Sequence, residues 1–241
     1  MKLAGIFVAA LTAVSLTTYA APFTSARLGA ELAKLLSAYA PVELFRQQTA
    51  IWRLSGGTPP APEAARAALE KVEAQLEGLK PLIAEEGPPW APLLPAIQTA
   101  SQLLSVAIEA LVGPGLEERP PEDQEALLGT LGEARKALDE LVIAASDAAE
   151  AAEEGWEFQA SFLAQTVLLS PSPLYLRIQE EWQAYLRRNL PPWFPEEGVS
   201  ALEGLLALAN QGLTPEQEAE ARAAAEGLLS ILIPEGYEGG T

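Results

Sequence analysis

The chain has 241 residues, with 33 acidic against 15 basic side chains, 20 prolines, and neither cysteine nor histidine. Those absences exclude disulfides, thiolate nucleophiles, iron–sulfur clusters and cysteine-ligated zinc, and with them every serine–histidine or cysteine–histidine catalytic set and the two-histidine zinc helix. A formal charge of −18 repels phosphate backbones and anionic headgroups, so nucleic acid is not an expected partner; the field favours cations and basic protein surfaces.

The first twenty residues read as an export signal. Lys2 precedes an uncharged apolar run over residues 3–14, and Thr18 and Ala20 stand at the −3 and −1 positions of a signal-peptidase cut. The rival reading is an uncleaved membrane anchor, because residues 3–21 form a 19-residue stretch without charge, long enough as a helix to cross the hydrocarbon layer. Both readings place the remainder outside the cytoplasm: periplasmic, secreted or attached to the cell envelope. Gly5 precedes an apolar run, but no Glu follows five residues on, which argues against a pilin-type leader.

Everything after Pro22 is expected to be helical. Leu28, Leu32, Leu35, Leu36 and Tyr39 form one apolar stripe over residues 25–40. Pro41 ends that helix and opens another carrying Val42, Phe45, Trp52 and Leu54, which stops at Ser55-Gly56-Gly57. A proline-rich linker over 58–62 leads to a third helix, in which Ala65, Leu69, Val72, Leu76, Leu79 and Ile83 keep strict a/d spacing. Pro81 lies inside that pattern and predicts a kink or an early end.

Residues 87–108 carry no charge, but four prolines fall between 88 and 95, and Gln98, Gln102, Ser105 and Glu109 align as a polar stripe. That pattern predicts a largely buried helix with one solvated edge; the sharper alternative makes Gln98, Gln102 and Ser105 the polar lining of a ligand cleft. A turn over 114–122 precedes the longest pattern, with Leu127, Leu131, Leu138, Leu141, Ala145 and Ala152 on one side. It runs from about 121 to at least 154, and to 169 if Gly155 does not break it. Ser172-Pro173 reads as N-cap and N1 of a helix with Leu174, Ile178, Trp182, Tyr185 and Leu186 inward. A further helix spans about 196–211 and ends at Gly212. The last opens on Thr214-Pro215-Glu216-Gln217, a capping box with proline at N1, and reaches Ile233. No alternating segment predicts a strand.

The expected fold is therefore all-α, a bundle of about seven or eight helices after the signal or anchor. Its divisions are a helical hairpin over 21–57, a central bundle with the long helix over 58–170, a C-terminal helical unit over 171–233, and a flexible tail over 234–241. One internal echo stands out. Pro88-Pro89-Trp90-Ala91-Pro92 and Pro191-Pro192-Trp193-Phe194-Pro195 share a P-P-W-x-P pattern, consistent with two related three-helix units.

Among chemistries, paired carboxylates are the one catalytic device supplied in quantity. The pairs Glu85-Glu86, Glu117-Glu118, Glu153-Glu154, Glu180-Glu181 and Glu196-Glu197 are adjacent, and adjacent helical residues diverge by about 100° and do not face one substrate. Glu150, Glu153, Glu154 and Glu157 read as a charged helix face, able at most to hold a divalent cation loosely. No catalytic, cofactor-binding or metal-ligating set is expected. The aromatic distribution is more informative. Trp156, Phe158, Phe162, Tyr175, Trp182, Tyr185, Trp193 and Phe194 cluster beside Arg177, Arg187 and Arg188, and Trp, Tyr and Arg dominate protein-interface hot spots. Arg187, Arg188, Trp193 and Phe194 are the expected partner-binding residues, with Phe194 the most exposed.

The function these features favour is an exported, non-catalytic helical interaction or structural protein of the cell envelope or of a surface or secretion assembly, with an unidentified protein partner, no cofactor, and membrane contact through residues 3–21 if they are retained. A helical carrier or sensor for an apolar small molecule is the alternative. In layout alone the chain is similar to minor pilus components of conjugation and type IV secretion systems. Scarce Asn and Met beside abundant Glu, Ala, Leu and Pro fit a thermophile.

Overall fold

Apolar residues alternating at three and four positions bury a continuous seam on each helix that carries them. In the computed structural model, which describes residues 24–84, 88–169, 180–208 and 213–233, this spacing organises the larger of two cores. The helices are α1 (Thr24–Ala38), α2 (Ala40–Ser55), α3 (Glu63–Ala84), α4 (Leu93–Leu111), α5 (Pro121–Ala151), α6 (Gly155–Leu169), α7 (Glu180–Arg188), α8 (Glu196–Leu208) and α9 (Pro215–Leu232). Short 3-10 turns at Pro88–Trp90 and Leu116–Glu118 flank α4, and no strand occurs among the described residues. The protein is an all-α bundle.

On α3, the six predicted seam residues Ala65, Leu69, Val72, Leu76, Leu79 and Ile83 are all buried. They face Leu93, Ile97, Ala100, Leu104, Ala107 and Leu111 of α4, which in turn packs on α5, and Leu127, Leu131, Leu138, Leu141 and Ala145 of α5 belong to the same cluster. The segment Pro88–Leu111 is long and apolar enough to cross a membrane by length and composition. In this fold its inner stripe packs on α3 and α5, while Leu94 and Val106 stand outward.

The stripe of α1 passes without a change of register into α2: Leu28, Leu32, Leu35, Tyr39, Val42 and Phe45 are all buried. Pro41 has no N–H to continue the ladder, so the chain breaks for one residue at Tyr39, whose own N–H is shared between the Leu35 and Leu36 carbonyls at 3.2 Å each. The two helices scarcely touch each other; α1 packs mainly on α6 and α3, and α2 on α3 and α5. The segment 21–57 thus joins the large core through both helices. After α2, Gly56 and Gly57 take φ of 72° and 95°, values that favour glycine. Pro81 does not end α3, which continues to Ala84.

The long pattern after residue 121 divides into two helices, and the break has a specific form. Glu153 N–H bonds the Glu150 carbonyl at 3.1 Å and Glu154 N–H bonds the Ala149 carbonyl at 2.8 Å, with Glu153 at φ 61°. This is a Schellman closure with a glutamate in the left-handed position usually taken by glycine. Gly155 begins the next helix instead of ending the last. Residues 155–164 of α6 are buried without exception, Glu157, Gln159 and Ser161 among them, so this stretch has no solvated face, as expected of a helix enclosed by neighbours. Phe158 and Phe162 enter the larger core. Trp156, Ala160, Leu163, Ala164 and Val167 enter a second core with Leu186, Phe194, Leu202, Leu205, Leu206, Ala225 and Leu228. Helix α6 is therefore the shared wall between the α1–α5 bundle and the smaller α7–α9 unit.

The capping box of α9 is present: Gln217 N–H donates to Thr214 Oγ1 at 3.3 Å, and Thr214 N–H donates to Gln217 Oε1 at 2.9 Å. In the P-P-W-x-P echo, Trp90 is buried in the larger core, whereas in the second copy Trp193 is half-buried and Phe194 is the residue taken inside. The export or anchor segment, the Ser172-Pro173 start, Gly212 and the tail over 234–241 lie outside the described residues.

Candidate functional site

The break between α5 and α6 places the end of one helix beside the start of the next, and the C-terminal end of α7 closes over both. Gly155 makes the approach possible. A β-carbon there would meet Glu150 Cγ at 2.9 Å and the Tyr185 hydroxyl at 3.1 Å. The loop after α7 adds Pro191, Pro192 and Trp193. Together they form a cleft of about 340 Å3 lined by Glu150, Glu153, Gly155, Trp156, Glu157, Tyr185, Asn189, Pro191, Pro192 and Trp193.

Its aromatic walls are held from behind. Trp156 donates its indole N–H to the Leu186 carbonyl at 3.0 Å, which ties α6 to α7. The ring of Trp156 meets Trp193 edge-on at 6.1 Å and Phe194 at 4.6 Å between centroids, distances at which aromatic pairs attract. Tyr185 is half-buried and donates to Glu150. Burial first, and then the charge and hydrogen bond of Glu150, push its phenol above the ordinary range.

Three carboxylates line this cleft, in different environments. Glu150 and Glu153 are exposed at its rim. Glu157, in the first turn of α6, is 4% exposed. Burial, reinforced by the charge of Glu154, holds its carboxyl above the usual range; a hydrogen bond from Trp193 and a backbone hydrogen bond oppose that shift. Among the described residues, no lysine or arginine lines the cleft. Glu154 faces away from it, accepting from Ser25 of α1. The four glutamates that read as one helix face are thus dispersed by the chain break, and no group of three or more acidic residues among the described ones is arranged to hold a metal ion.

Of the four expected partner-binding residues, Arg187 and Arg188 are exposed at the end of α7, and Trp193 is half-buried in the cleft wall. Phe194 departs from expectation: it is 8% exposed, not the most exposed of the four. The turn after Pro191 directs its ring onto Trp156 and α8, where Gly198 leaves room; a β-carbon at 198 would lie 2.6 Å from the ring. Gln98 and Gln102 stand in solvent and Ser105 is hydrogen-bonded to Glu73 of α3, so the polar stripe is a solvated edge, but α4 is buried along one stripe only, not largely buried as its lack of charge suggested. The side chain of Trp182 lies outside the described residues.

The cleft combines two groups of residues that were distinct in the sequence, the aromatic cluster and the glutamate face. A glycine between Glu153-Glu154 and Trp156-Glu157 was the local signal that they meet, because it marks both a chain break and a close approach. No family model matches the chain, and no curated protein or solved structure matches it.

Proposed function

We propose that the chain is an exported, non-catalytic all-helical interaction protein of the cell envelope or of a surface or secretion assembly. The observation that carries this reading is the corner where α7 ends: Arg187 and Arg188 project into solvent beside Leu190 and the half-buried Trp193, a set with the composition of an interface hot spot. The outer face of α2 adds support, since Leu44, Ile51 and Leu54 lie along one side of it and Leu54 is 91% exposed. The leader pattern in residues 1–20 supports export.

The test is proximity capture in the native organism followed by mass spectrometry, comparing the parent with Arg187→Glu/Arg188→Glu. The expected result is a discrete partner set that the double variant loses, from a protein that melts at the parent temperature. An unchanged set, or none, would overturn the reading. The same spectra read the mature N-terminus and so test export.

One observation favours a second reading. A buried carboxyl with raised proton affinity is one element of glycoside hydrolysis, the proton donor, and Glu157 would take that role beside the exposed carboxylates of the cleft. Release of reducing sugar that Glu157→Gln abolishes would establish it in place of the first.

A further inference from the structure

The cleft between α5, α6 and α7 has an imbalance that its own residues do not resolve. Three carboxylates line it, no lysine or arginine does, and none of Glu150, Glu153 and Glu157 forms an ion pair among the described residues. Buried carboxylates are normally paired with a cation or coordinate a metal. Glu157, which is 4% exposed, is hydrogen-bonded by Trp193 but has no cationic partner among the described residues. The remaining walls are two indoles, a phenol, two prolines, Gly155 and Asn189. Aromatic faces attract cations through their quadrupole, and carboxylates among them reinforce that attraction. Helices α5 and α7 both end at the cleft and direct the negative ends of their dipoles to it; α6 begins there with the opposite sign, answered by Glu157 in its first turn.

We propose that this cleft is a receptor for an organic cation of the alkylammonium class, seated among Trp156, Tyr185 and Trp193 and neutralised by Glu150, Glu153 and Glu157. A hard divalent ion does not suit it, because such ions need a converging shell of oxygens and the carboxylates share the wall with three aromatic rings and two prolines. Its volume of about 340 Å3 lies at the small end of ligand sites, which fits a head group or a single side chain. The source of that cation is either a lysine of the interaction partner or a free quaternary amine. The site rests on the interaction reading only in the first case.

The experiment is calorimetric titration of the full chain at fixed ionic strength with tetramethylammonium, with Nα-acetyl-lysine N-methylamide, and with 2,2-dimethylpropan-1-ol, a neutral molecule shaped like the first. Saturable binding of at least one cation is expected, at about tenfold or more the affinity of the alcohol. Glu150→Gln/Glu153→Gln should weaken it about tenfold at an unchanged melting temperature, since both side chains are exposed; Trp193→Leu should weaken it while keeping an apolar wall. Tighter binding of the lysine derivative assigns the cation to a protein side chain, and the reverse order to a free amine; either upholds the site. Equal affinity for the alcohol, no saturable binding of either cation, or binding unaltered in the glutamine double variant overturns it. Arg187 and Arg188 do not line the cleft, so a failed titration and a failed partner capture are separate results.

Discussion

Ser25 donates both its backbone N–H and its hydroxyl to one oxygen of Glu154, at 3.2 and 2.7 Å, across 129 positions of sequence. Ser25 is fully buried, and the acceptor comes from the turn that separates α5 from α6. One carboxylate thus supplies a partner to the first described turn of α1 and fixes that helix against the chain break. Glu154→Ala leaves two buried donors without an acceptor and should cost about 2 kcal/mol, whereas Glu154→Gln keeps an oxygen and should cost less. Chemical denaturation of both variants checks the order; equal loss would show that the bonds to Ser25 contribute little.

Four residues further along α1, Gly29 lies against the backbone of α6. A β-carbon there would fall 2.6 Å from both the Phe158 carbonyl oxygen and Ser161 Oγ. The serine can rotate, although its hydroxyl already donates to the Phe158 carbonyl at 3.0 Å, but the carbonyl belongs to a helix buried on all sides. Gly29→Ala should therefore separate the two helices and destabilise the fold by about 1–3 kcal/mol, despite the better helix propensity of alanine. A thermal melt reads it directly, and a rise in melting temperature would contradict the close approach.

The seams of α1, α3 and α5 were legible because burial on one face follows spacing, and most residues named from it are inside, with Leu36 and Ala152 half-buried. In α2 the spacing placed Leu54 with Val42 and Phe45, but it sits in the last turn beyond the reach of α3 and α5 and is 91% exposed. The capping box of α9 was legible because its bonds lie within four residues. Phe194 was not, since its burial depends on Gly198, on the next helix, and on Trp156, 38 positions earlier. The cleft was hidden for the same reason. Glu150 and Tyr185 meet only because the chain turns at Glu153 and Gly155 admits them, and no periodicity along one helix records a contact between the ends of three.

Glu153 closes α5 at φ 61°, where a side chain is strained and glycine is not. Glu153→Gly should stabilise the protein by up to about 1 kcal/mol. Since Glu153 also lines the cleft, the same variant should bind tetramethylammonium more weakly. Greater stability with weaker cation binding is the expected pair, read by denaturation and calorimetry on one preparation.

Tyr39 donates its hydroxyl to the Leu131 carbonyl at 2.7 Å inside the larger core. Burial, aided by the charge of Glu43 and opposed by Arg135 and Arg46, holds its phenol well above the ordinary value of 10.0. The unfolded chain therefore releases this proton at lower pH than the folded one, so the contribution is full below the ordinary phenol range and declines as pH rises beyond it. Tyr39→Phe should cost about 1 kcal/mol near neutrality and progressively less in alkali. Denaturation midpoints of parent and variant from neutral pH to above the phenol range test this; a constant difference would mean that Tyr39 is not the group responsible.

Glu157 has the same sign in the acid range. Its carboxyl is held above the ordinary 4.5, first by burial and then by the neighbouring charge of Glu154, against the pull of Trp193 and a backbone hydrogen bond. Between the ordinary value and the raised one, the folded state binds more protons than the unfolded state, so stability falls as pH rises through that window and the ionised group is a standing cost above it. Glu157→Gln removes the charge while keeping an oxygen to accept from Trp193. The variant should melt above the parent at pH 7, and the gap should close as pH falls below 4.5. Saturating tetramethylammonium should reduce the parent's deficit at pH 7, because a bound cation compensates the carboxylate that glutamine replaces. A gap independent of both pH and the cation would place the strain at this corner in packing and not in charge.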